Sequence, residues 1–262
     1  MKKLRFVQIS DIHLLDNKND KLHNIDISKV FSEILKSINK IKPKIDFILL
    51  SGDVSENGSV SSYINAKEIL SSIRIPVFWI PGNHDDLCNI NILNNDLNIS
   101  PLKSFVKNDI NFILLNSVAF DNNGINRSRG FLSSNELQFL KNELQNNISK
   151  INIIALHHPP IKSGTWKDER MLENSDSFFE LINQFDNVSL VIFVHQHQSA
   201  FKKKGNVFFY SPPAASYQFD KIIKWGFDNK PPGFGVISIL NDGNIRCEDY
   251  YLDIIIRPVF NS

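Results

Sequence analysis

Short apolar runs rich in β-branched and aromatic residues recur along this chain of 262 residues. Most of the runs lack polar alternation, which is typical of strands covered on both faces. They predict strands over residues 4–9, 46–50, 77–80, 111–115, 151–156, 190–194, 207–210, 233–240 and 244–252. The tripeptide Asn241-Asp242-Gly243 indicates a hairpin turn between the last two.

Between the first six runs, apolar residues recur at helical spacing. This pattern predicts helices around residues 30–41, 64–73, 137–144 and 178–185. The third follows Ser133-x-x-Glu136, a capping box that starts a helix. Strands that alternate with helices indicate an α/β architecture in which helices cover the sheet faces. The strand-rich part after residue 206 indicates that the sheets are mixed.

A hydrophobic content of 42% over this length is enough for one large domain, which we expect to span residues 1–262. The net charge of +1 offers no field that would favour nucleic acid or an anionic membrane. No apolar run approaches the roughly 20 residues needed to cross a bilayer. The two cysteines, Cys88 and Cys247, do not form a disulfide framework, so we expect a cytoplasmic protein.

Polar side chains follow five of the predicted strands directly. They are Asp11 and His13, Gly52-Asp53, Gly82-Asn83-His84-Asp85, His157-His158, and His195 with His197. In open α/β sheets, ligands bind where the carboxyl ends of strands meet, so we expect these groups to converge. Two pairs are spaced i, i+2, which on an extended chain directs both side chains to one face. Six of the seven histidines lie in these motifs.

The donor types indicate what this constellation binds. A single histidine of this kind is more often structural, and the prediction depends on the whole set. Carboxylate, imidazole and amide donors without a thiolate suit first-row ions such as Mn²⁺, Fe²⁺ or Zn²⁺. The candidates are too many for one tetrahedral ion and are suited to two ions that share a carboxylate.

The sequence resembles the calcineurin-like metallophosphoesterases, whose pattern D-x-H, G-D, G-N-H-[DE], H, G-H-x-H occurs here in order except for the glycine of the last motif. Further stretches resemble the bacterial class III cyclic nucleotide phosphodiesterases, the 3′,5′-cyclic AMP phosphodiesterase group. They are HHPPIKSGTW from residue 157, Glu173-Asn174, and SPPAASYQF from residue 211. The resemblance extends from about Leu4 to Leu252.

The resemblance implies a four-layer α-β-β-α sandwich of two mixed sheets flanked by helices. It implies hydrolysis of 3′,5′-cyclic AMP to 5′-AMP by a hydroxide that bridges two divalent ions, Fe²⁺ or Mn²⁺, with Zn²⁺ as an alternative. One ion is assigned to Asp11, His13, Asp53 and His197, and the other to Asp53, Asn83, His157 and His195. His84 matches the catalytic histidine of the family that is not a ligand, and we expect it to protonate the leaving oxygen. His158 is expected either to support the neighbouring ligands or to be structural. The implied substrate-binding residues are His13, Asp53, Asn83, His84 and His197.

Several alternatives remain open at this level. The substrate is a small-molecule cyclic nucleotide or another small phosphoester, or the chain is an inactive binding module, acting as a monomer or homodimer. Trp166, Tyr217 and Phe219 either stack on adenine or pack in the interior. The triplet Lys202-Lys203-Lys204 predicts a solvated hairpin turn.

Val194 stands where the family pattern has glycine. A required positive φ would misplace both neighbouring histidines, whereas a requirement for space alone would let Val194 continue the strand. The unbroken apolar run favours the second reading.

Overall fold

The computed structural model of the protein describes residues 2–95 and 98–259. The strands are β1 (Lys2–Ile9), β2 (Phe47–Ser51), β3 (Val77–Ile80), β4 (Ile99–Ser100), β5 (Ser104–Lys107), β6 (Ile110–Leu114), β7 (Ile151–Ala155), β8 (Val188–Ile192), β9 (Ala200–Lys204), β10 (Val207–Ser211), β11 (Gly233–Leu240) and β12 (Ile245–Tyr251). The helices are α1 (Ile27–Lys40), α2 (Val60–Leu70), α3 (Ser134–Asn146) and α4 (Ser175–Ile182), with 3₁₀ turns at Asn89–Asn95 and Trp166–Arg170.

The strands form two mixed sheets of six strands each. The first has the order β12-β11-β1-β2-β3-β4, in which β1 to β4 run parallel and β11 and β12 run antiparallel to their neighbours. The second has the order β5-β6-β7-β8-β10-β9, with a parallel centre and an antiparallel strand at each edge. Both sheets are therefore mixed, as the strand-rich end of the chain predicts.

Three apolar layers hold the sandwich together. The middle layer, which includes Phe6, Phe47 and Phe112, contains side chains from both sheets and lies between them. One outer layer packs the first sheet against α1 and α2, and the other packs the second sheet against α3 and α4. This is the predicted α-β-β-α order. Burial of both faces explains why the central strands lack polar alternation.

The predicted segments agree with the observed elements except at their ends and at three additional strands. β4, β5 and β9 have no counterpart among the predicted strands. The prediction of a hairpin turn at Lys202–Lys204 is wrong, because these residues lie in β9, the edge strand, and the turn follows at Gly205. Lysines on an edge strand discourage pairing with another chain, which gives them a structural role.

Two local signals act as their chemistry predicts. The Ser133 side chain accepts a hydrogen bond of 3.2 Å from the Glu136 amide and starts α3. The Glu136 carboxylate, however, accepts from the Asn116 amide at 3.1 Å instead of closing the capping box. Gly243 has a φ of 83° in the turn between β11 and β12. Among the residues that the structure describes, no helix has the length and apolar character to span a bilayer.

Candidate metal centre and its catalytic cleft

Five strand ends meet at one edge of the sandwich, and the predicted functional side chains lie there. Asp11 and His13 follow β1, Asp53 follows β2, Asn83 and His84 follow β3, His157 follows β7, and His195 and His197 follow β8. A contact of 2.9 Å between His157 Nδ1 and the Ser51 carbonyl joins the two sheets at this edge. Most of these side chains are buried, while Asn83 and His84 are partly exposed. The centre therefore opens to solvent on the side of β3.

The Asp53 carboxylate lies between two sets of donors. Its Oδ2 atom is 3.8 Å from His13 Nε2 and 3.3 Å from His157 Nε2. On the first side, His197 Nε2 lies 3.1 Å from His13 Nε2 and 3.5 Å from Asp11 Oδ1. On the second side, His195 Nδ1 lies 3.2 Å from His157 Nε2. Asp53 therefore lies between two groups of imidazole and carboxylate donors.

The backbone brings the paired ligands together in an unexpected way. The expectation that both i, i+2 pairs lie on extended chain is wrong. Asp11 and His13 have φ values of 51° and 58°, and His195 and His197 have values of 74° and 49°. Asp53 also lies in the left-handed region, at 51°. Residues with side chains adopt this conformation rarely, and when the fold enforces it the strain tends to mark a functional site.

Val194 avoids this strain. Its backbone lies outside the left-handed region, and its amide donates to the His157 carbonyl at 3.0 Å. The prediction that Val194 continues the strand is wrong in detail, because β8 ends at Ile192. Position 194 therefore does not require the positive φ of a glycine, because the positive φ values fall on His195 and His197 themselves. This favours the reading in which the glycine of the family pattern provides space for packing.

Hydrogen bonds at the outer nitrogens orient three of the histidines. His197 Nδ1 donates to the Tyr217 carbonyl at 2.9 Å, and His157 Nδ1 donates to the Ser51 carbonyl. His13 Nδ1 lies 2.6 Å from Glu56 Oε2. Each contact leaves Nε2 as the nitrogen that faces the centre. Histidines that bind metals commonly carry such a partner on the other nitrogen.

Buried atoms at the centre fit divalent cations. Among the residues that the structure describes, Asp11 Oδ1 and Asn83 Oδ1 have no hydrogen-bond partner although they are shielded from water. Ligand atoms of Asp11, His13 and His197 lie within 4.8 Å of one another, as do those of Asp11, Asp53 and His157. Leaving such groups unpaired is costly, and cations would satisfy them. The donor set therefore fits a two-ion centre.

The charges of the centre are unbalanced in the protein alone. Burial raises the pKa of Asp11, and the neighbouring Asp53 carboxylate adds to that rise. Burial alone would lower the pKa of His157, but the Asp53 and Asp11 carboxylates and the Ser51 carbonyl together outweigh it and raise the pKa to about 9. Burial holds the pKa values of His195 and His197 well below their usual range. These two imidazoles are therefore neutral at pH 7, which is the form that binds metal.

His158 and Asp85 stabilise the surrounding loops. His158 Nδ1 lies 2.8 Å from the Ser117 hydroxyl, as its expected structural role requires, although its ring also lies beside His157 and His195. The buried Asp85 carboxylate accepts from the Gly82 amide, the Tyr63 hydroxyl and two amides of the loop after β2. Asp85 thus holds the loops together.

Glu56 is the functional candidate that sequence reasoning missed. Its carbonyl accepts a hydrogen bond of 2.8 Å from His84 Nδ1, and its carboxylate lies 3.6 Å from the same nitrogen. The His84 amide in turn donates to Asp53 Oδ1 at 2.9 Å. Glu56 therefore orients His84 and His13 together. Its place three residues after Asp53 in GDVSE was the available signal.

Lys167 was also missed. Its ammonium is buried, donates to the His195 carbonyl at 3.1 Å and lies 4.5 Å from the centre of the Phe219 ring. Burial lowers the pKa of Lys167 to about 8. The contact holds the carbonyl of a ligand whose backbone is left-handed, so Lys167 stabilises the turn after β8.

Two of the three aromatic residues for which stacking and packing were both open lie in the interior, and the third, Trp166, is partly exposed. Tyr217 and Phe219 are buried and contact the His197 ring, with ring centres 4.7 and 4.9 Å away. The Trp166 indole donates to the Asp220 carbonyl at 3.0 Å and packs edge-on against Phe219. Of the two readings of these residues, the structure favours packing over stacking on a base.

Comparisons with known proteins agree with this geometry. The family model described as calcineurin-like phosphoesterase matches residues 4–199. A 3′,5′-cyclic-nucleotide phosphodiesterase of Nostoc sp. (strain PCC 7120) is 34% identical over 92% of this chain and 89% of its own length. The 3′,5′-cyclic adenosine monophosphate phosphodiesterase CpdA of Haemophilus influenzae is 29% identical over 94% of this chain and 89% of its own length. A dimetal phosphatase from Danio rerio has a similar fold, with a TM-score of 0.65 at 12% identity over 92% of this chain and 94% of the other.

Proposed function

Because this chain belongs to the calcineurin-like phosphoesterase family, we propose that it catalyses the metal-dependent hydrolysis of 3′,5′-cyclic AMP to 5′-AMP. The observation that carries the proposal is the Asp53 carboxylate, which lies 3.8 Å from one histidine and 3.3 Å from another on its two sides. The names of the Nostoc and Haemophilus relatives support cyclic nucleotide as the substrate class. In this reading the protein acts in the cytoplasm, as a monomer or homodimer, on a small molecule and not on nucleic acid.

The two ions are held by the seven strand-end donors. We assign Asp11, His13, Asp53 and His197 to one ion, and Asp53, Asn83, His157 and His195 to the other. Fe²⁺ or Mn²⁺ fits a donor set of oxygen and imidazole nitrogen without sulfur, with Zn²⁺ as an alternative. When bound, such a pair lowers the pKa of water and offsets charge on a phosphoryl group.

The side chains of this protein then have separate tasks. His13, Asp53, Asn83, His84 and His197 surround the position of the phosphoryl group. Hydrolysis adds water across the P–O3′ bond: the water oxygen joins phosphorus, and the departing O3′ takes a proton. His84 supplies that proton, since its imidazole is held in place beside the ligand centre and imidazole is the side chain that most often acts as a general acid. Glu56 keeps His84 oriented through the 2.8 Å contact at Nδ1, so that Nε2 faces the leaving oxygen.

We also propose that residues 1–262 form one metallophosphoesterase domain. Both sheets contribute to the same middle layer of apolar side chains, and the candidate ligands come from both. The two cysteines are unpaired, and one of them is exposed, which supports a reducing compartment.

Steady-state kinetics with defined metals test the proposal. The wild-type protein, reconstituted separately with Mn²⁺, Fe²⁺ and Zn²⁺, should hydrolyse 3′,5′-cyclic AMP to 5′-AMP. Cyclic GMP, dinucleotides and glycerophosphodiesters are the comparison substrates. A higher kcat/KM for one of these would assign the centre to a different phosphoester. Fewer than one bound ion per chain after reconstitution would instead indicate a binding module.

A further inference from the structure

A cleft opens beside His84 and Asn83. It has a volume of about 460 Å³ and is lined by residues 56–58, 83–88, 120 and 124–126. Volumes of this order accept a small organic ligand. His84 and Glu56 form its inner wall, so the cleft begins where the leaving oxygen would receive its proton.

The outer wall is the loop of residues 119–127. Phe120 and Ile125 are 48% and 64% exposed, and both line the cleft. The Asp121 carboxylate accepts from the amides of Asn123 and Ile125, at 2.8 and 2.9 Å. The backbone also closes on itself, because the Arg127 amide donates to the Ala119 carbonyl at 2.7 Å. The loop therefore holds two apolar side chains toward solvent in a defined conformation.

Asn126 fastens this loop to the loop that carries His84. Its side-chain amide donates to the Asn83 carbonyl at 2.9 Å and to the Asp85 carbonyl at 2.7 Å. The apolar wall is consequently fixed relative to the proposed proton donor. A ligand that reaches His84 with one atom would meet Phe120 and Ile125 with the part that extends outward.

The charges of the cleft exclude some ligands. Among the residues that line it, Glu56, Asp85 and Asp86 are acidic, and none is lysine or arginine. A leaving group with a further phosphate would find no cation here and would lie close to carboxylates. An uncharged leaving group with an aromatic part fits both the apolar wall and the charge.

We propose that this cleft binds the nucleoside of the substrate, with the purine base against Phe120 and Ile125. The proposal rests on the proposed function, since O3′ bonded to the ribose must face His84. The nucleoside then continues from O3′ past the imidazole into the cleft. Phe120 and Ile125 are thus specificity-determining residues that lie outside the ligand set.

The test uses Phe120→Ala and Ile125→Ser in the Mn²⁺-reconstituted full chain. Loss of base stacking should raise KM for 3′,5′-cyclic AMP by about 5-fold or more for Phe120→Ala. The kcat should change by less than about three-fold, because neither side chain reaches the reacting atoms. Calorimetric binding of 5′-AMP should weaken to the same extent. Phe201→Ala is the matched control, since Phe201 is 56% exposed on the edge strand β9, away from the cleft.

The outcomes separate this proposal from the proposed function. A wild-type protein that does not hydrolyse any cyclic nucleotide would contradict the function. Wild-type hydrolysis together with unchanged KM and 5′-AMP affinity in both cleft variants would overturn the cleft assignment alone. A fall in kcat with unchanged KM would also overturn it, because it would place the loop in the chemistry instead of in binding.

Discussion

The ligand centre and the cleft beside His84 meet at the same residues but are built in opposite ways. The centre is buried and contains five non-glycine residues with positive φ. Hydrogen bonds at the outer ring nitrogen orient its imidazoles. The cleft exposes apolar side chains on a surface loop and is positioned mainly by Asn126. The difference teaches that the cation geometry is built into the strand ends, whereas the leaving-group side depends on one loop.

This contrast has an energetic side. Burial of Asp11, Asp53 and their neighbouring imidazoles costs free energy that the protein alone does not recover, because several of their atoms lack partners. Divalent ions would offset that cost and would stabilise the folded state by mass action. The cleft carries no such penalty, so changes there should affect binding of substrate without affecting the centre.

The largest effect should come from Asp53→Asn. The amide keeps the shape of the side chain and an acceptor for the His84 amide, but it removes the charge that both ions share. We expect the metal content to fall from two ions per chain to below one. We also expect kcat/KM for 3′,5′-cyclic AMP to fall by at least about 10³-fold, since such ions supply several kcal/mol of stabilisation. Elemental analysis and steady-state kinetics measure the two effects.

Asp109→Asn is the matched control for this change. Asp109 is 88% exposed and pairs only weakly with Lys3, at 3.9 Å. It should leave metal content and activity unchanged. Retention of two ions and activity by Asp53→Asn would contradict the bridging role of Asp53.

His84→Ala should have the next largest effect. It should show whether a residue of the cleft wall contributes to the reaction without contributing to metal binding. Loss of a general acid typically lowers the rate by roughly 10² to 10⁴-fold. We expect a decrease of this size in kcat for 3′,5′-cyclic AMP while both ions remain bound. Elemental analysis checks the ions.

A second substrate distinguishes the acid role of His84 from a structural one. In bis(4-nitrophenyl) phosphate the leaving group departs without a proton, so His84→Ala should impair its hydrolysis much less. An equal loss on both substrates, or loss of metal, would refute the acid role.

Glu56→Gln should produce a smaller change at both regions, because Glu56 contacts His13 and His84. Glutamine keeps the length and the backbone contact to His84 but loses the carboxylate charge. Removal of a partner that orients a metal ligand commonly costs about 10 to 100-fold in affinity or activity. We expect weaker metal binding by calorimetry together with lower kcat. Glu68→Gln, at an exposed pair with Lys18, is the control, and equal behaviour of the two variants would remove Glu56 from the site.

The sequence predicts the sandwich well where elements are long and covered. Both faces of the central strands pack against apolar layers, so unbroken apolar runs in the sequence predict these strands. Ser133 predicts the start of α3. β4 has two residues, and β5 is partly exposed, so neither carries a strong pattern. The sequence of β9 predicts a basic turn because its lysines are typical of solvent-exposed positions. The strand forms at the sheet edge because it pairs with β10, and not because its residues prefer a strand conformation.

The site was predictable in its donors and not in what orients them. The seven ligand candidates follow strands directly, so their convergence follows from the parallel strands at the centres of the two sheets. Lys167 acts through a contact with His195 that joins distant parts of the chain, and no spacing in the sequence predicts it. Glu56 stands close to Asp53 in the sequence, but its contact with His84 depends on how two separate loops fold together. The left-handed backbone of His195 was not predicted either, because residues other than glycine adopt a positive φ in only a few per cent of cases.

Val194→Gly tests that backbone and should have the smallest effect on activity. Val194 is 1% exposed, and the hydrogen bond from its backbone amide to the His157 carbonyl would survive the change. Loss of the buried side chain and the greater freedom of glycine in the unfolded chain should lower the free energy of unfolding by about 2–4 kcal/mol. Metal content should remain at two ions, and kcat/KM should change by no more than about two-fold. Chemical denaturation measures the free energy of unfolding, and steady-state kinetics measure kcat/KM. A marked gain in metal affinity would mean that valine strains the turn. The glycine of the family pattern would then serve the conformation of the His195–His197 turn and not merely its packing.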